Sequence, residues 1–158
     1  MVMENNPILS PSFLPYGFFT LHDYASGMAV CHAAQKAGVL TQQTLRAPFG
    51  FLSAPGAAGF MGAPWWQALI RQLEQESGCQ YFHVLDCGSS VGHAVMACTL
   101  GQKNVILQTD SERMAAVRVL YQTCSGHLFS VRPPSFDLTG PLSAKTHLAA
   151  YFMRSYCQ

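Results

Sequence analysis

The chain has 158 residues, a length that suits one domain with a sizeable core. Hydrophobic residues make up 49% of it and charged residues only 11%. The average soluble domain is roughly 25% charged, so apolar surface is expected to stay uncovered here and to favour a homo-oligomer. A net charge of +1, from scattered basic residues without a cluster, excludes the electrostatic footprint of a nucleic-acid binder.

Residues 1–17 carry Pro7, Pro11 and Pro15 among Asn and Ser and read as an irregular arm, leaving 18–158 as a single domain. No basic segment followed by an apolar run opens the chain, so a cytoplasmic setting is expected. "GFFTL" (17–21) predicts a short strand. Asp23 then serves as N-cap of a helix whose apolar stripe is Ala25, Met28, Ala29, His32 and Ala33, with Gly38 as its stop. The stretch from Ala47 to Ile70 has no charge, yet Pro48, Pro55, Pro64 and four glycines break it up, which argues against a membrane span. It reads instead as a strand near 49–53, a Gly/Pro loop and the start of a helix with Pro64 in its first turn. Trp66, Leu69, Ile70 and Leu73 line one face of that helix, and Gly78 ends it.

"YFHVLDC" (81–87) is aromatic and β-branched with little alternation, as a strand covered on both faces should be. "VGHAVMACTLG" (91–101) is the next helix and "NVILQTD" (104–110) the next strand. A helix with Ser111 as N-cap buries Met114, Val117, Tyr121 and Cys124. "HLFSV" (127–131) predicts a last strand ended by Arg132-Pro133-Pro134, and residues 141–153 a final helix around Leu148, Ala149 and Phe152. Strands alternating with helices predict a three-layer α/β domain. Its sheet would be mainly parallel, of about five strands with helices on both faces, flavodoxin-like or half-Rossmann-like.

Any chemistry is expected at the carboxyl ends of the strands, where ligands bind in such sheets. Ser53, Asp86, Gly88, Ser89, Ser90, Gly92 and Asp110 all fall there. Gly88-Ser89-Ser90-Val91-Gly92 matches G-x-S-x-G between a strand and a helix, the setting of a nucleophile elbow. In this it resembles the α/β-hydrolases, which would make Ser90 the nucleophile of a small serine hydrolase, with Asp110 or Asp137 and His127 or His147 completing a triad. Only 68 residues follow Ser90, short for the rest of that fold. The wider stretch "VLDCGSSVGHAVMACTLGQKNVILQTD" resembles the first motif of class I S-adenosylmethionine methyltransferases. That resemblance implies S-adenosylmethionine or a nucleotide held by Asp86, Gly88, Gly92 and Asp110, with Ser90 standing where the family has its middle glycine. The third reading needs no ligand: Ser89 or Ser90 caps the helix, the glycines allow the bend, and Asp86 supports the same helix end.

Two further groups sit at this edge. His93 follows the turn, and Cys87 lies near a helix N-terminus, where a thiolate is stabilised and His93 could act as its base. The remaining histidines lack a metal-binding spacing, and His32 reads as a core residue. The six cysteines form no CxxC or zinc-finger pattern, so no metal is expected and the thiols read as reduced and apolar. Finally, Ser53–Gly62, Trp65, Trp66 and Leu85–Gly92 resemble a group of small uncharacterised bacterial α/β proteins, which implies the same fold class and a bacterial source. These readings together describe a cytoplasmic ligand- or partner-binding protein without evident catalytic machinery.

Overall fold

The computed structural model describes residues 17–137 and 143–156. The arm expected over the first seventeen residues lies outside the described residues except for Gly17. In chain order the elements are β1 (Phe18–Leu21), α1 (Tyr24–Lys36), β2 (Arg46–Ser53), α2 (Ala57–Phe60), α3 (Ala63–Ser77) and β3 (Gln80–Asp86). They continue with α4 (Val91–Thr99), β4 (Asn104–Ile106), α5 (Ser111–Thr123), β5 (His127–Phe129), β6 (Phe136–Asp137) and α6 (Ser143–Tyr156). The expected α/β fold is what forms: a six-stranded parallel sheet in the order β5-β4-β3-β2-β1-β6, with helices packed on it.

From β1 to β5 the chain steps across the sheet in one direction. Parallel connections are right-handed, so an unbroken series of them delivers its helices to one face. The buried residues accordingly form one large cluster that draws on every long helix: Val30 and Cys31 from α1, Trp66 and Leu73 from α3, Ala94 from α4, Tyr121 from α5, Phe152 from α6. The alternate strand residues Phe19, Phe51, Tyr81 and Leu85 meet them. The opposite face holds a small separate cluster, Leu52, Val84 and Ile106 with Phe18, Phe82 and Phe129 against it. Among the described residues it contains strand residues alone, so the helix layer expected on this second face is not seen there.

Local signals explain most boundaries. Asp23 caps α1 in a reciprocal box with Ser26. Gly78 ends α3 in the left-handed conformation, φ 74°. Three expectations need correction. The stripe of α1 is rotated: Gly27, Val30, Cys31 and Ala34 are buried, while Ala25 and His32 are exposed. In a helix this rich in small residues the pattern is set by the neighbour, and Gly27 faces the Leu73 side chain so closely that a Cβ there would collide with it. The N-cap of α5 is Asp110, whose carboxylate accepts from Arg113 N at 2.9 Å, and not Ser111. Ala149 is exposed, and among the residues of α6 whose side chains are described Leu148 and Phe152 are the buried ones.

The segment between β5 and β6 must travel from one edge of the sheet to the other. Five strand spacings of about 4.8 Å make roughly 24 Å. Seven residue steps from Phe129 to Phe136 reach about 25 Å when fully extended. This connection is therefore a nearly straight strap, and Pro133 and Pro134 suit it, since proline fixes an extended φ and pushes the residue before it out of the helical region.

Candidate functional site

Halfway along the strap, Arg132 turns its guanidinium onto the carboxyl ends of three strands. Its Nη1 donates to Asp86 Oδ2 at 2.8 Å, and its Nη2 donates to Thr20 Oγ1 and to the Ser53 carbonyl, each at 2.9 Å. Asp86 is 3% exposed. Its other oxygen accepts from Gly88 N at 2.8 Å, which forms the turn out of β3, and its own N–H donates to Ser53 Oγ at 2.8 Å. Ser135 extends the network to the start of β6 through a 2.6 Å contact with Thr20 Oγ1. Thr20 and Asp86 alternate with the residues facing the helices, so the strap crosses on the face that carries no helix among the described residues. A buried carboxylate is tolerated only when paired and hydrogen-bonded, and Arg132 supplies both.

The expected site residues are placed as follows. Ser53, Asp86 and Gly88 belong to this network. Ser90 caps α4, accepting from His93 N at 3.2 Å with φ −87° and ψ 105°, an ordinary extended conformation rather than a strained elbow. Ser89 and Gly92 are exposed on the same turn. Gly88 takes φ 58° and lies against the Cα of Gly56, so the turns after β2 and β3 touch. Asp110 is occupied at the head of α5, where the Arg113 N–H, helped by the Arg113 charge at 3.4 Å, keeps its carboxyl below the usual range. Burial, with the charge of Asp86, pushes the Cys87 thiol up to about 12, so it stays protonated. His93 is exposed, its ring beside Gly59 of α2.

The proposed triad partners do not gather around Ser90. His127 begins β5 and so lies at the amino edge of the sheet, its ring tilted against those of Phe82 and Phe129. His147 sits on α6, which packs against α1. Asp137 pairs with His22 at 2.7 Å, at the point where strand order reverses between β1 and β6. Sequence reasoning missed Thr20, Arg132, Ser135 and the His22–Asp137 pair. A signal for Arg132 existed: in a chain with so few charges, an acid closing an apolar strand requires a cation, and Arg132 precedes two prolines that keep its backbone extended.

Two other surfaces stand out. A groove between α1 and α6, about 400 Å³, is lined by Ala29, His32, Ala33, Lys36, Ala149 and Met153. The second is apolar. Phe60 (66% exposed), Met61 (40%), Met96 (58%) and Leu100 (43%) lie on α2, the turn after it, and α4 and its C-cap. α2 packs against α4. His93, Met96 and Leu100 share one face of α4 by helical spacing, and Gln67 Nε2 donates to Leu100 O at 3.0 Å, tying α3 to the same ridge.

Among the described residues, no group of three or more His, Cys, Asp or Glu gathers to hold a metal, and no helix is long and apolar enough to cross a membrane. In comparisons with known proteins, no family model, no curated protein and no solved structure matches the chain.

Proposed function

We propose that this is a binding protein without a catalytic centre, and that it works as a homo-oligomer joined through the α2–α4 ridge. The observation that carries this reading is the group of four large apolar side chains, Phe60, Met61, Met96 and Leu100, exposed on adjoining elements. Contiguous apolar patches of this kind mark interaction surfaces. A net charge of +1 lets two copies approach without repulsion, and a two-fold contact would set Phe60 of one copy against the α4 face of the other. Light scattering on the chain and on a Phe60→Glu, Met96→Glu double variant tests it. The natural chain is expected as a dimer or larger and the variant as a monomer of unchanged helicity; a variant that associates as before removes the ridge from the account.

A small ligand is the second reading, favoured by the α1–α6 groove, whose volume lies within the range of ligand pockets. S-adenosylmethionine or a nucleotide at Asp86, Gly88, Gly92 and Asp110 has less support, because both carboxylates are already engaged within the chain. A Ser90 hydrolase has less again, since the hydroxyl is used as a cap.

A further inference from the structure

Cys98 lies near the end of α4 and Cys124 caps the end of α5. They are 26 residues apart in sequence, yet the packing of α4 against α5 brings their sulfurs to 3.1 Å. Both are free thiols. We propose that Cys98 and Cys124 are a redox site, forming a reversible intramolecular disulfide when the chain meets a hydroperoxide.

The two thiols are unequal in the way such a step needs. Cys124 is partly exposed, and the Cys98 thiol beside it and the Thr123 hydroxyl, with the charge of Lys103, hold it below the usual thiol range. Lys103 is anchored there by its Nζ, which donates to Cys124 O at 2.8 Å. Burial and the neighbouring Cys124 push the Cys98 thiol up to about 11, so it remains protonated beside its partner. The thiolate is the nucleophile in thiol oxidation. Cys124 sulfur attacks one peroxide oxygen; the O–O bond breaks, a sulfenic acid forms, and the departing hydroxide (or alkoxide) takes up a proton. Cys98 sulfur then attacks the sulfenic sulfur; the S–O bond breaks, hydroxide leaves with the Cys98 proton as water, and the S–S bond forms. Two thiols are oxidised and one peroxide is reduced. A small thiol reverses the bond by exchange. Two other buried thiols are suppressed as competitors: burial raises Cys87 to about 12 and Cys31 to about 11.

The test uses the full chain, reduced and freed of reductant, then treated with hydrogen peroxide in modest excess. Remaining thiols are alkylated and peptides mapped by mass spectrometry without reduction. The expected product joins the Cys98 and Cys124 peptides with a loss of about 2 Da, and the titratable thiols fall from the six of the sequence by two, restored by dithiothreitol. In Cys98→Ser, Cys124 is instead trapped by dimedone as the sulfenic acid, and in Cys124→Ser the same dose leaves Cys98 unmodified. The proposal is overturned if both cysteines of the natural chain remain fully alkylatable. It is equally overturned if Cys124 bonds to another cysteine, Cys157 included, or to a second chain.

Discussion

Asp86 is accommodated at a buried strand end because Arg132 Nη1 and Gly88 N each donate to one of its oxygens. Removing the guanidinium in Arg132→Ala strands that carboxylate, and breaking a buried pair costs about 3 kcal/mol or more; the lower figure applies because Arg132 keeps 21% of its side chain in water. Urea denaturation is expected to show a loss of about 3 kcal/mol. The exposed Arg113–Asp110 pair provides the contrast: Arg113→Ala should leave the urea midpoint nearly unchanged, because solvent screens the pair. Equal losses from the two variants would contradict the strap. His83 makes a second residue-scale prediction. Burial lowers its pKa from 6.5 to about 4, and Gln102 Nε2, which also donates to Asn104 O, faces its Nδ1 at 3.3 Å and leaves no place for a proton there. The unfolded histidine binds a proton at higher pH than the folded one, so stability is full above about 6.5 and falls as pH drops towards 4, by at most about 3 kcal/mol. His83→Gln is expected to flatten this part of the pH profile; an unchanged slope would show that His83 does not titrate there.

Among the elements, α4 separates two accounts of Ser90. As an N-cap, Ser90→Ala should cost about 1 kcal/mol, and Ser90→Asp, which can accept from the same amide, should restore it. A failure of Asp to restore stability would remove the capping role. How far each element was legible depended on how its contacts are encoded. α3 announces itself through Trp66, Leu69, Ile70 and Leu73 between Pro64 and Gly78, and all four are buried, with Ala63 at the helix start. The stripe of α1 was not legible, because alanines and glycines carry little contrast and Gly27 acts through the Leu73 it admits. β6 has two residues directly beyond Pro133-Pro134-Ser135, too few to show a period. Within the candidate site, the turn from Asp86 to Gly92 was visible as a strand-to-helix bend. Its partners were not, since Arg132 reaches Asp86, and links it to Thr20 and through Thr20 to Ser135, only after the chain has crossed the whole sheet.

At the scale of the molecule, strand order is the property that local patterns leave open. The chain could have reversed direction next to β3 and set a ligand crevice at the Gly88 turn. Instead it runs on to β5 and returns to β6 by the strap, so the described helices share one face and the reversal falls at β1 and β6, beside the His22–Asp137 pair. The low charge content, legible from the outset, finds its counterpart in the exposed Phe60, Met61, Met96 and Leu100. In the proposed oligomer this ridge joins two copies. Amide hydrogen exchange at dilute and at high protein concentration reads that contact. Added protection is expected at high concentration in the peptides of α2 and α4, lost in the Phe60→Glu, Met96→Glu variant. Protection that appears instead along the α1–α6 groove, or no dependence on concentration, would contradict it.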